Sequence, residues 1–251
     1  MESFRPIVIS IAGVDPSAGA GLLADIKTFE QHKVYGLGIS TAQTVQTENN
    51  FYSIRWEKED DILQSIDILL SHYDIKAIKI GIVPGVDELA SIVTFIHNKN
   101  IAIKIVIDTV LRSTSGFNFW KDTSNEGLFR ETLKKAYLIT PNFDEAGQLE
   151  PSLDPTEAAH KLSAYCHVLL KGGHNPAEPG VDYLFAGGNI HKLEAENVAV
   201  FAKHGSGCVF SASLTANLAL GFELLPACKL AKKYTSQFLS GNPTLLGYHH
   251  V

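Results

Sequence analysis

Gly205-Ser206-Gly207-Cys208 runs directly into Val209-Phe210-Ser211-Ala212-Ser213-Leu214-Thr215-Ala216. The glycines permit a positive φ and a close approach of backbone to a ligand, and the small, apolar residues after them read as a buried helix. The free N–H groups of a helix start, with the positive end of the macrodipole, suit an anion such as phosphate. A cysteine in the first turn sits where its thiolate is favoured, so its pKa is expected to fall. The chemistry suggested is phosphoryl transfer beside a proton acceptor. The same residues also read as a glycine turn before a core helix with an inert cysteine, and short glycine motifs alone do not separate the two.

The elements that must position this loop alternate between strand and helix. Ile7-Val8-Ile9-Ser10-Ile11-Ala12 is a short β-branched run ending at Gly13, followed by a helix with Leu22, Leu23, Ile26 and Phe29 on one face. Strands recur at 77–80, 103–107, 137–140 and 168–170, separated by helical patterns at 59–72, 86–98, 125–135, 143–149 and 155–165. This predicts an α/β fold with a mainly parallel sheet and helices on both faces. The stretch from Asp182 to Ala202 breaks the rhythm, and Gly187-Gly188 between two short apolar runs predicts an antiparallel hairpin. No linker or internal repeat divides residues 1–251, which read as one domain. Ligands of such sheets bind beyond the carboxyl ends of the strands. There lie Asp15, Asp108-Thr109, Thr140-Pro141-Asn142 with Glu145, and Lys171-Gly172-Gly173-His174.

Composition narrows the function. A formal charge of -6 over 251 residues gives no reason to expect nucleic acid or an anionic membrane as partner. Cys166, Cys208 and Cys228 form no C-x-x-C pair and no metal-ligand spacing, and their odd number points to a reducing compartment. The start of the chain lacks a signal-peptide layout, and no apolar run approaches a membrane span. The expected location is the cytoplasm.

Several stretches resemble the hydroxymethylpyrimidine/phosphomethylpyrimidine kinases of thiamin biosynthesis, within the ribokinase-like superfamily. They are Ile11-Ala12-Gly13-Val14-Asp15-Pro16-Ser17-Ala18-Gly19-Ala20-Gly21, Ala24-Asp25-Ile26-Lys27-Thr28-Phe29, Thr41-Ala42 with Gln46, and Lys79-Ile80-Gly81. Asp108-Thr109-Val110, Thr140-Pro141-Asn142 with Glu145-Ala146, Leu170-Lys171-Gly172-Gly173-His174 and His204-Gly205-Ser206-Gly207-Cys208 follow in the family's order, and Tyr248-His249-His250-Val251 echoes its usual tail.

The resemblance implies a ribokinase-like three-layer αβα sandwich with a mainly parallel central sheet and an antiparallel edge hairpin. It implies transfer of the ATP γ-phosphate to 4-amino-5-hydroxymethyl-2-methylpyrimidine and then to its monophosphate, with Mg²⁺ offsetting charge. Cys208 matches the catalytic base, and Gly205, Ser206 and Gly207 supply amides to the phosphoryl group. Lys171, with Asn142 and Lys203, is placed on the nucleotide side. Asp108 and Glu145 match the acidic positions that organise Mg²⁺, partly through water; Glu145 also reads as an ordinary first-turn acid favoured by the helix dipole. Gln46 matches the residue that reads the pyrimidine edge, with Gly13, Asp25, Ile82 and Val110 as further pocket positions. Asp25 reads equally as a helix-face residue bonded to loop amides. Relatives commonly form homodimers.

The chain departs from the family at Ile82 for a methionine, Gln43 for an apolar residue, Thr114 for a lysine and Lys203 for a threonine. Lys203 stands where it restores the charge that Thr114 removes. A pyridoxal (vitamin B6) kinase is the alternative, since relatives sharing the cysteine loop accept that ring; a non-catalytic ligand-binding relative is a further one. A dinucleotide-binding turn is disfavoured because Gly13-Val14-Asp15-Pro16-Ser17-Ala18-Gly19 lacks G-x-G-x-x-G spacing. Either 42–56 or 110–125 is the expected lid.

Overall fold

A computed structural model describes residues 4–113, 116–120 and 125–249. The chain opens with β1 (Ile7–Val14), α1 (Gly21–Gln31), β2 (Tyr35–Gln46), β3 (Phe51–Trp56), α2 (Glu59–His72) and β4 (Ile75–Ile80). It continues through α3 (Val86–Lys99), β5 (Lys104–Ile107), α4 (Glu126–Leu133), β6 (Leu138–Ile139), α5 (Phe143–Leu149) and α6 (Pro155–Leu162). Then come β7 (His167–Leu170), β8 (Asp182–Ala186), β9 (Asn189–Leu193), α7 (Ser206–Ala219) and α8 (Leu224–Ser240).

One sheet of nine strands runs in the order β3-β2-β1-β4-β5-β6-β7-β8-β9. Neighbours from β2 to β7 are parallel, whereas β3, β8 and β9 add antiparallel edges. Ile62 and Ile66 of α2, Leu89 and Val93 of α3, Phe129 of α4, Ala146 of α5 and Ala158 of α6 share one core layer with one face of the sheet. Phe29 of α1, Phe210 and Leu214 of α7, and Ala227 of α8 cover the other. The result is the expected αβα sandwich. The strand order reverses between β1 and β4, which puts the switch-point crevice at their carboxyl ends.

The hairpin expected after Asp182 is β8–β9, whose glycines 187 and 188 both take positive φ. The helices expected at 59–72 and 143–149 have those bounds. One reading needs correction. The buried face of α1 is Ala24, Asp25, Thr28 and Phe29, while Leu23 is exposed, because α1 presses against β1 and α7 and hides an ionic pair there. The stretch 42–56 is the end of β2 and the strand β3, an antiparallel extension of the sheet. Thr114, part of the 110–125 candidate lid, and His250 and Val251 lie outside the described residues.

Candidate active site

Strand alternation builds the site. On the sheet face covered by α1, α7 and α8, the apolar core includes Val8, Ala77, Val106, Leu138 and Leu169, one from each of five parallel strands. Two residues further along the chain from each stand Ser10 and Lys79 within β1 and β4, and Asp108, Thr140 and Lys171 just past the ends of β5, β6 and β7. All five are polar, and the first four are fully or almost fully buried. A polar layer therefore lies above the apolar one at the carboxyl ends of the strands, under the first turn of α7.

Hydrogen bonds knit this layer together. The Lys79 ammonium sits 2.7 Å from both oxygens of Asp25, and Ser10 Oγ donates to Asp25 Oδ2 at 2.6 Å. Lys171 Nζ donates to Asp108 Oδ1 at 2.9 Å, Thr140 Oγ1 to the same oxygen at 3.1 Å, and Ser211 Oγ of α7 to Oδ2 at 2.9 Å. Burial opposes the charge of Asp108, yet Lys171 and Lys79 hold its carboxyl below the usual range. Burial likewise opposes Lys171, but Asp108 and Glu145 raise its pKa above the ordinary lysine value.

The start of α7 meets this cluster. Gly205 is in the left-handed region at φ 75°, and a Cβ on it would stand 2.1 Å from the Gly19 carbonyl oxygen. Only glycine allows the loop to lie so close to the segment after β1. The first intrahelical bond is Val209 N–H to Gly205 C=O at 3.0 Å, so the amides of Ser206, Gly207 and Cys208 precede it at the open helix end. A Cβ added to Gly207 would lie 3.3 Å from Lys171 Nζ, which puts that ammonium at the mouth of the helix. Cys208 is partly exposed. Its thiol is not lowered as the helix terminus alone suggests. Burial pushes it up to about 11, with Asp108 and Asp25 adding to the rise and Lys79 and the Gly21 amide opposing it.

Asn142 and Glu145 form a capping box on α5: Asn142 Oδ1 accepts from Glu145 N–H and Glu145 Oε2 from Asn142 N–H, both at 2.8 Å. Both readings of Glu145 therefore hold a part, since it caps its own helix and also faces Lys171 and Asp108. Burial pushes it up to about 7, against the pull of Lys171. Among the described residues no group of three or more His, Cys, Asp or Glu could cage a metal ion. With Asp108 accepting three hydrogen bonds and Glu145 one, the pair fits a hard cation that keeps most of its own waters, as Mg²⁺ does.

The ring-pocket candidates gather beyond β1. A Cβ on Gly13 would stand 2.3 Å from Ile82 Cδ1, so the isoleucine lies directly on that glycine. Gln46 Nε2 donates to Thr44 Oγ1 at 2.9 Å, and Thr44 Oγ1 donates to the Val14 carbonyl at 2.8 Å, which hangs the glutamine beside the end of β1. Val110 and Ile82 pack against the same core. Asp25 differs from the others: it is fully buried and held by Lys79 and Ser10, beneath the pocket surface. Lys203 is turned to the Asn242 carbonyl and the Phe201 ring. Gln43 Nε2 reaches Ser40 Oγ and Glu57.

Sequence reasoning placed Asp15 and Thr140 on the ligand side of the sheet but gave no role to Ser10, Lys79 or Ser211, nor to the pairing of Asp15 with His204. His204 Nε2 lies 2.8 Å from Asp15 Oδ2, which also receives the Ala20 amide. Burial opposes the Asp15 charge, but His204 and Ser17 hold its pKa below the usual value. This pair ties the loop after β1 to the loop before α7. The available signal was a polar residue wherever a buried strand's alternation calls for an apolar one.

The family model described as phosphomethylpyrimidine kinase matches residues 15–251. The chain belongs to the phosphomethylpyrimidine kinase family. A hydroxymethylpyrimidine/phosphomethylpyrimidine kinase from Aquifex aeolicus is 33% identical over 246 residues, covering 95% of this chain and 96% of its own. The solved phosphomethylpyrimidine kinase from Clostridium difficile 630 superposes with a TM-score of 0.79 at 29% identity, covering 93% of this chain and 99% of that one. The pyridoxal kinase from Staphylococcus aureus in complex with AMP-PCP gives a TM-score of 0.82 at 27% identity, over 94% and 88% of the two chains. As a member of this kinase family the chain is a phosphotransferase. No helix among its described residues is long and apolar enough to cross a membrane.

Proposed function

We propose that this chain transfers the γ-phosphoryl group of ATP to 4-amino-5-hydroxymethyl-2-methylpyrimidine and then to the monophosphate so formed, as a kinase of thiamin biosynthesis. The observation that carries the reading is the meeting of Lys171, Asp108 and the open end of α7 beside Cys208, at the carboxyl ends of the parallel strands.

Gln46 offers both a donor and an acceptor to the aminopyrimidine edge, with Gly13, Ile82 and Val110 enclosing the ring. Asp25 lies beneath the pocket, bound to Lys79 and Ser10. The amides of Ser206, Gly207 and Cys208 receive the oxygens of the transferring group, an electrostatic contribution worth about 3 kcal/mol per donor in comparable sites. Lys171 swings from Asp108 toward the nucleotide phosphates. Asn142 and the nearby loops hold the nucleotide side, and Lys203 acts there only if it leaves the Asn242 carbonyl. The resting thiol, at about 11, must first lose its own proton; the thiolate sulfur of Cys208 then takes the hydroxymethyl proton as the alcohol oxygen bonds to the γ-phosphorus. The bond from that phosphorus to its bridging oxygen breaks, and ADP departs. The second transfer needs no such base, because a phosphate monoester oxygen is already ionised. Asp108 and Glu145 would hold Mg²⁺, which would supply positive charge to the phosphates.

The same reading makes the enzyme a cytoplasmic homodimer formed of single-domain chains. A pyridoxal kinase is the second reading, favoured by the high superposition onto the Staphylococcus aureus enzyme. A phosphoryl-acceptor screen with ATP and Mg²⁺ separates the two. Hydroxymethylpyrimidine and its monophosphate are expected to turn over with kcat/KM well above those of pyridoxal and pyridoxine. Equal values for pyridoxal would overturn the substrate, and turnover of none would leave a ligand-binding relative.

A further inference from the structure

A lysine at full burial is costly, and the mechanism above leaves Lys79 without a task in transfer. Taking an ammonium out of water carries a heavy penalty that its partner repays only with good geometry, and an apolar pair of similar volume is often no less stable. The layer below shows that apolar packing works here: Val8, Ala77, Phe29, Ala212 and Ala216 join β1, β4, α1 and α7. One step toward the site, each of those elements carries a polar or ionisable group. Ser10 follows Val8 and Lys79 follows Ala77 by two on their strands, and the two are registered partners across β1 and β4. Asp25 precedes Phe29, and Cys208 precedes Ala212, by one helical turn. The packing that sets Ala77 against α7 thereby aims Lys79 at the first turn, where Cys208 is.

We propose that Lys79 is a positioning residue for phosphoryl transfer: gripped by Asp25 and Ser10 under α7, it presents the positive charge that faces the Cys208 sulfur and keeps that sulfur able to accept the alcohol proton. This rests on reading Cys208 as the base. Asp25 serves to hold the ammonium in place, which explains a carboxylate at a position matched to the pocket yet hidden from it. The charged groups acting on the sulfur are Lys79 from β4, Asp25 from α1, Asp108 following β5 and Lys171 following β7. Lys79 leads the charges that favour the thiolate, and Asp108 and Asp25 oppose it.

The test is the pH dependence of Cys208 alkylation by iodoacetamide in the intact protein, read by mass spectrometry. Cys166 and Cys228, both pushed up to about 12 by burial, report loss of fold through their own labelling. Asp25→Asn removes an opposing anion together with the carboxylate that grips Lys79, and its Cys208 midpoint is the reference for the variant that follows. Asp25→Asn with Lys79→Met removes both charges, and its midpoint is expected at least about one pH unit above that of Asp25→Asn, about tenfold slower labelling at a fixed pH. The alkaline dependence of kcat/KM should move in the same sense. If Asp25→Asn fails to fold, Lys79→Gln against the wild type gives the same comparison, with the midpoint rising. Coincident midpoints in folded variants overturn the proposal. The reading it rests on fails separately: near-normal turnover of Cys208→Ala would remove cysteine as base, whatever the labelling shows.

Discussion

Replacing Gly205 by alanine probes the anion loop without altering a charge. The residue has φ 75°, and a Cβ on it would stand 2.1 Å from Gly19 O, 2.7 Å from Ala20 Cα and 2.8 Å from Ala20 Cβ. Left-handed backbone costs a non-glycine residue about 1–2 kcal/mol. Overpacking adds about 1–3 kcal/mol, and here the obstacles are backbone and a short side chain that cannot swing aside. The sum, about 2–5 kcal/mol, corresponds to a fall in Tm of about 4–20 °C for a chain of this size. Relief comes only by parting the loop after β1 from α7, so kcat should fall more than affinity for the ring. Gly127 provides the control. It lies in α4 with nothing within 4 Å of a built Cβ, and alanine there should hold or raise Tm by relieving helical glycine. Calorimetric melts and steady-state rates, taken well below the variant's Tm, check both. A Gly205→Ala protein melting within about 2 °C of wild type would refute the close packing of these loops.

Cys208→Ala is expected to lower kcat for the alcohol acceptor by about 10²–10⁴-fold while ring binding by calorimetry changes little; turnover of the monophosphate should suffer less. Gln46→Ala should raise KM for the ring about tenfold through a lost hydrogen bond, and an unaltered KM would remove Gln46 from the pocket. Glu145 sits at about 7 against 4.5 unfolded, so its contribution to stability is full below 4.5 and is lost as pH rises through about 7. Glu145→Gln keeps an acceptor for the Asn142 amide. Its Tm should decline less than the wild type's from about pH 5 to about pH 8, and parallel melting profiles would contradict the assignment.

The parallel strands were legible because β-branched runs such as Ile103-Lys104-Ile105-Val106-Ile107 stop at residues that turn or bind. The strand β2 was not, since Gly36 and Gly38 dilute its strand pattern. Those glycines exist for packing: built Cβ atoms would meet Phe29 at 2.7 Å and Leu22 at 3.1 Å, so α1 lies almost on the strand. Lys171, Asp108 and the loop 205–208 were readable as chemistry because polar groups at strand ends have little structural reason to exist. Lys79 was hidden inside an apolar run, and only Asp25 across the sheet face explains it. The expected drop in the Cys208 thiol failed for a related reason. Helix position is local and visible in sequence, whereas the burial that raises the thiol most, and then Asp108 and Asp25, come from the packing of other elements.

The bond between Asp15 and His204 joins positions 189 apart, and Leu246 closes on Gly19 from still further along the chain. During synthesis the early loop must wait, unfinished, while almost the whole sheet is laid down beside it. Catalytic competence therefore arrives late and all at once: a nascent chain can have its sheet in place while its phosphate cradle still lacks a wall.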